Sequence, residues 1–174
     1  TIAALEACVP LAPLHNPANL AAIRALAEVA PGLPQYVSFD TAFHATNPDV
    51  ATRYAIPAAD AALGIRRYGF HGLSYAALVQ SLPMLSGTPL PRRLLAMHLG
   101  NGASLCAVLD GRSVATTMGY SPLDGLTMGT RAGAIDGNAV LRLAQVHGVD
   151  GAGSILNREA GLRALGGTSD MRAL

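Results

Sequence analysis

The stretch Met118–Arg131, MGYSPLDGLTMGTR, is rich in Gly, Ser, Thr and Met and ends on a single Arg. Core packing does not call for that composition. Backbone N–H groups exposed by small residues, followed by one fixed guanidinium, suit a phosphate or a carboxylate. A second glycine-rich turn, His98-Leu99-Gly100-Asn101-Gly102-Ala103-Ser104, precedes it. Its glycines let backbone approach a phosphate and Asn101 can donate its amide; the same Asn-Gly pair serves equally as a plain hairpin turn. Two candidate anion-binding turns this close together point to phosphoryl transfer, which needs positioned cations and N–H donors more than covalent work. Arg131 is the first choice for the charge, because its planar fork holds a phosphoryl oxygen or a carboxylate through two hydrogen bonds. An ordinary surface ion pair is the plainer alternative. His71, between Phe70 and Gly72 at the start of an expected helix, can donate to a phosphoryl group near a helix N-terminus. A lone His is more often structural, and His15, His44 and His98 are read that way. Asp40 closes an apolar run, Tyr36–Phe39. A carboxylate there can hold a metal-bound water, orient an Arg, or simply cap a loop.

The elements that must position these residues follow from periodicity and punctuation. Asn16–Ala30 reads as a helix with Asn16 as cap, Pro17 in the first turn and Pro31-Gly32 as the stop. Gln35–Phe39 reads as a short strand leading into Asp40, and Asn47–Pro57 as a loop. A short helix over Pro57–Leu63 closes on Gly64. Another is expected over Ser74–Leu82, followed by a proline-rich loop over Pro83–Arg93. Leu94–Leu99, Ala103–Leu109 and Arg112–Thr117 read as three successive strands. Asp110-Gly111 marks a type I′ hairpin turn, which needs positive φ at both central residues. Asp136 can cap a helix with Val140, Leu143, Ala144 and His147 on one face. A further helix spans Ala152–Glu159, and Ser169–Leu174 resembles the first turn of one more. No repeat or low-complexity tract is present.

Composition narrows the class. The 174 residues are 51% hydrophobic and 13% charged, a mixture that supports a folded core rather than disorder. Mean hydropathy is +0.34, yet no run of about 18 uncharged apolar residues exists to span a membrane. Some apolar surface is therefore expected to meet a partner or another part of a larger protein. The net charge is +1, without a block of Lys or Arg, which argues against nucleic acid and membranes as partners. Cys8 and Cys106 form no CxxC motif, so neither a zinc site nor a disulfide scaffold is expected. No signal peptide is visible, and a cytoplasmic location follows as the default expectation.

Six phrases in this order carry a resemblance: His15-Asn16-Pro17, Phe39-Asp40-Thr41-Ala42-Phe43-His44, Arg67-Tyr68-Gly69-Phe70-His71-Gly72, His98–Ser104, Met128-Gly129-Thr130-Arg131 and Ser169-Asp170-Met171-Arg172. The chain resembles acetate kinases over essentially its whole length. That resemblance implies an α/β chain of the RNase H-like, actin-like ATPase fold. It implies a central fragment, since complete members are more than twice as long: residues 1–47 would end the first RNase H-like domain and 48–174 would begin the second. It implies transfer of the γ-phosphoryl group of ATP to acetate, with Mg2+ as cofactor and homodimerisation. The magnesium ligands of the family would lie outside this chain, so none is assigned here. By the same resemblance Asp40, His71 and Arg131 are catalytic. His98, Leu99, Gly100, Asn101 and Gly102 bind ATP phosphates, and Asp170, Met171 and Arg172 lie near adenosine. Leu14, Phe70 and Pro122 line the acetyl pocket, where each would otherwise count as core. The chain departs from the family at Tyr75, usually His; at Leu73, usually Thr; and at Ala134 and Gly137, usually Asp and Pro. Loss of the carboxylate at Ala134 bears on how Arg131 is oriented. A propionate or butyrate kinase of the same family remains open beside acetate, and a non-catalytic nucleotide-binding fragment is the alternative from another class.

Overall fold

Alternation along three adjacent strands builds the centre of the chain. β1 (Arg93–Leu99), β2 (Ala103–Leu109) and β3 (Arg112–Thr116) form an antiparallel meander in the order β1-β2-β3. The β2–β3 turn is the expected one, with Asp110 at φ 48° and Gly111 at φ 76°. Leu94 faces Val108, Ala96 faces Cys106 and His98 faces Ser104. Directly opposed residues share a face, so these six lie on one side of the sheet. A β-bulge leaves Val114 as an extra residue between Ser113, opposite Val108, and Ala115, opposite Ala107. This computed structural model describes residues 2–13 and 15–174.

α5 (Gly72–Ser86) covers that face. Tyr75, Leu78 and Val79, at helical spacing, pack on Leu94, Ala96, Cys106 and Val108, with Phe43 beside them. The helix is longer than the expected Ser74–Leu82 and takes in Pro83 from the expected loop. Pro83 removes one helical N–H near the end, where little is lost. The helix then closes on Gly87 at φ 67°, whose N–H bonds the Pro83 carbonyl at 3.0 Å. The other sheet face is open: Leu95, Met97 and Leu99 are 57%, 56% and 70% exposed.

Residues 1–39 and 40–174 form two compact units. In the first, α1 (Ile2–Glu6), a 3-10 turn at Val9–Leu11 and α2 (Asn16–Val29) fold together, with an Arg24–Glu6 ion pair. Asn16 does not cap α2: His15 occupies the cap position, and Asn16 Nδ2 donates to the Cys8 carbonyl at 2.7 Å. Residues 35–39 form no strand. A strand needs a ladder partner for its N–H and C=O groups, and the described part of this unit contains only helices and turns. Tyr36 is accordingly 93% exposed.

In the second unit a 3-10 turn, Ala42–Thr46, leads to α3 (Asp49–Thr52), which lies within the expected Asn47–Pro57 loop. α4 (Ala58–Ala61) is followed by Gly64 at φ 82°. α6 (Gly137–Ser154) is capped as expected by Asp136, which accepts from the N–H groups of Asn138 and Ala139. Gly148, at φ 73°, breaks it internally. A π-helical turn, Ile155–Glu159, replaces the end of the expected Ala152–Glu159 helix, and α7 (Gly161–Gly166) follows. Residues 170–173 make a single turn, Ala173 N–H to the Asp170 carbonyl at 2.9 Å.

Candidate active site

Period-two alternation puts His98 and Ser104 at the end of the helix-covered face, beside the start of α5. His71 occupies the cap position of α5 in a left-handed conformation, φ 60° and ψ 21°. That backbone brings its ring over His98, with centroids 3.9 Å apart and planes 20° from parallel. His71 Nδ1 lies 2.9 Å from Ser104 Oγ, and His98 Nδ1 lies 3.0 Å from Ser74 Oγ. Asp40 closes the helix end. Its Oδ2 accepts from the His71 N–H at 2.6 Å, its Oδ1 from the Leu73 N–H at 3.4 Å and its carbonyl from the Gly72 N–H at 2.8 Å. The carboxylate thus satisfies orphan donors at a helix N-terminus.

Arg131 arrives from the long loop. It is 5% exposed, and its Nη1 donates to the Pro122 carbonyl at 2.7 Å. Among the described residues it has no ion-pair partner. Burial pulls its pKa down from the ordinary value, though a guanidinium stays charged at neutral pH. A Cβ placed on Gly102 would sit 3.1 Å from both Arg131 Nη2 and His71 Nε2. The glycine-rich turn, the imidazole and the guanidinium therefore meet at one point. The turn itself is closed by the Gly100 N–H on the Gly102 carbonyl at 3.1 Å. Leu99 and Asn101 are exposed on it. A Cβ on Gly129 would lie 3.2 Å from Asn101 Oδ1 and 3.4 Å from Ser169 Cβ. The two glycine-rich stretches are adjacent in space, as their proximity in sequence predicts, and the Ser169–Arg172 segment begins beside them. Within that segment Arg172 pairs with Asp170 at 3.2 Å, and Met171 is 71% exposed.

Phe70 and Pro122 are buried. Pro122 meets Arg131 through its carbonyl, and the Phe70 carbonyl takes His44 Nε2 at 2.9 Å. Leu14 lies outside the described residues. His44 itself is 2% exposed, with Nδ1 2.8 Å from Ser113 Oγ. Burial holds its pKa below the ordinary value, partly offset by the Phe70 carbonyl and Asp40, in keeping with its reading as structural.

Several residues that hold the loop carried no chemical signal of their own in the sequence, although Arg67 opens one of the six phrases. At its start, Arg67 Nη1 donates to the Thr117 carbonyl at 2.7 Å and to Asp124 at 3.3 Å, with its guanidinium 5.6 Å from the Tyr54 ring centroid. Tyr54 Oη accepts from the Tyr120 N–H at 2.9 Å. At its end, the first amides of α7 are spent on the loop: Leu162 on the Met128 carbonyl, Arg163 on Gly129, and the preceding Ala160 on Thr130, at 2.9, 3.0 and 3.1 Å. Gly161 makes this possible, with φ 68° and no room for a Cβ against the Met128 carbonyl and the Arg131 main chain. Ala134, without a carboxylate, donates its N–H to the Gly125 carbonyl; the Pro122 carbonyl is what orients Arg131.

A buried guanidinium with no ion-pair partner among the described residues thus lies beside a glycine turn and a helix-capping histidine, on an α/β frame of a meander backed by a helix. The sequence matches the Acetokinase family over residues 1–174, and the chain belongs to that family. It is 51% identical to an acetate kinase of Deinococcus radiodurans, over 98% of this chain and 44% of that protein. With an acetate kinase of Synechococcus it shares 50% identity, over 98% and 43%. Among solved structures it superposes on Porphyromonas gingivalis acetate kinase with a TM-score of 0.84 and 38% identity, covering 99% of this chain and 44% of that one. For a propionate kinase from Francisella tularensis the values are 0.89 and 41%, covering 98% and 45%. The chain carries part of the actin-like ATPase fold of these kinases and spans less than half the length of the relatives it matches.

Proposed function

We propose that the protein of which this chain forms part transfers the γ-phosphoryl group of ATP directly to acetate, giving acetyl phosphate and ADP. The observation that carries this is the meeting of Arg131 and His71 at Gly102. Two anions must be brought together for in-line transfer, and the positive charge has to be in place beforehand. Arg131 supplies it at low solvation cost to the transition state, since the guanidinium is already buried and held by Pro122. His71 contributes hydrogen bonding at the same point. The N–H groups of the Gly100–Gly102 turn and the amide of Asn101 suit ATP phosphates. Asp170, Met171 and Arg172 are proposed to approach the adenosine. Leu14, Phe70 and Pro122 are proposed to line the space for the acetate methyl group.

ATP enters as its magnesium complex. Magnesium is commonly held by one or two carboxylates together with substrate phosphates and water; Asp40, proposed as catalytic, is the carboxylate beside His71, and its oxygens accept from the start of α5. Through the same bonds Asp40 fixes the His71 end of α5. Residues 1–47 and 48–174 are proposed as parts of the first and second RNase H-like domains, and homodimerisation is proposed with them.

The Francisella propionate kinase supports a second reading, with propionate as acceptor. Hydroxylamine trapping of acyl phosphate, with acetate, propionate and butyrate compared, separates the two. The assay is run on this chain and on a longer protein containing it. Acyl phosphate from none of the acids in the longer protein, with Mg-ATP still bound by calorimetry, would leave nucleotide binding without catalysis.

A further inference from the structure

Tyr75 and Ser104 form a buried pair behind His71 that the proposed chemistry does not use. Tyr75 is 1% exposed and Ser104 0% exposed. Tyr75 Oη lies 2.5 Å from Ser104 Oγ, which in turn lies 2.9 Å from His71 Nδ1. We propose that Tyr75 is a positioning residue: through Ser104 it fixes the tautomer of neutral His71, placing the proton on Nε2, the nitrogen that faces Gly102 and Arg131.

Counting protons carries the argument. Burial keeps the Tyr75 phenol protonated by raising its pKa, so it has one proton to donate. Ser104 Oγ is its side-chain partner among the described residues. The main chain of His98 acts on the phenol oxygen in the sense that lowers its pKa, as an N–H donor does, and takes no proton from it. Ser104 has one proton as well. If Tyr75 donates to Ser104, Ser104 is free to donate to His71 Nδ1, and every group in the row is satisfied. The opposite order has Nδ1–H donate to Ser104 and Ser104 to Tyr75. It strands the phenol proton in the core, which folded proteins avoid. The hydroxyl row thus selects Nδ1 as acceptor and leaves Nε2–H directed at the site.

The purpose of this relay rests on the phosphoryl-transfer reading, but its test does not. In the 174-residue chain labelled with 15N-histidine, long-range 1H–15N spectra distinguish the two ring nitrogens. His71 is assigned by comparison with His71→Gln, above the pH at which the ring becomes neutral. The expected result is an unprotonated Nδ1 and a protonated Nε2. Tyr75→Phe, which keeps the ring but removes the proton donor, should shift the population towards Nδ1–H; Ser104→Ala should shift it further. A native His71 with its proton on Nδ1 overturns the proposal, and that measurement needs neither the Tyr75 nor the Ser104 variant to fold. Unchanged tautomers in both variants overturn it too. Failure to form acyl phosphate, with the Nε2–H tautomer intact, would count against the kinase reading alone.

Discussion

Arg131 is the residue on which the proposed activity turns. It is held by a backbone carbonyl rather than a carboxylate, so its charge stays available to a ligand. Arg131→Ala in the longer protein should lower kcat by roughly 10³–10⁵, the range for arginines that stabilise phosphoryl transfer. Arg131→Lys should recover little, because a point charge cannot reproduce the fork. Activity within tenfold of the parent in both variants would refute the role. His44 makes a prediction of another kind. Its pKa is lowered on folding, chiefly by burial, so the unfolded chain takes up a proton first as pH falls. Stability is then full above the ordinary value of 6.5 and declines below it, through the folded pKa. Urea midpoints measured on either side of pH 6.5 should show this slope, and His44→Gln should flatten it.

At the scale of elements, Asp40 caps the start of α5 and Gly161 seats the glycine-rich loop. Asp40→Ala should cost about 1 kcal/mol of stability through loss of the α5 cap, and Asp40→Asn a good deal less. Equal denaturation curves for parent and Asp40→Ala would show that the cap contributes nothing. Gly161→Ala combines a left-handed φ with a collision against the loop main chain and should cost about 1–3 kcal/mol. The three strands and the Asp110-Gly111 turn were legible because alternation and turn chemistry are local signals. Residues 35–39 misled because an apolar run becomes a strand only when a neighbour supplies a ladder. Pro83 misled because a proline in the last turn costs little once α5 has packed on the sheet. The meeting of Arg131, His71 and Gly102 could be expected only in outline: the motifs name the residues, whereas the π-turn and α7 that hold the loop carry no motif at all.

The whole molecule exposes more apolar surface than a self-contained domain needs. Tyr36, Val29 and Leu99 are 93%, 85% and 70% exposed, and β1 has no second neighbouring strand among the described residues. This agrees with the positive mean hydropathy and with a chain that spans less than half of its relatives. By itself it should bind a hydrophobic dye and associate as concentration rises. Sedimentation showing a dye-silent monomer would contradict that. The latch between α7 and the glycine-rich loop has a consequence for dynamics. The amide protons of Leu162 and Arg163 are covered only while the carbonyls of Met128 and Gly129 stay in place. Their exchange with deuterated solvent would therefore be a clock for loop opening. Two slow amides far along the chain would report how often the guanidinium leaves its post.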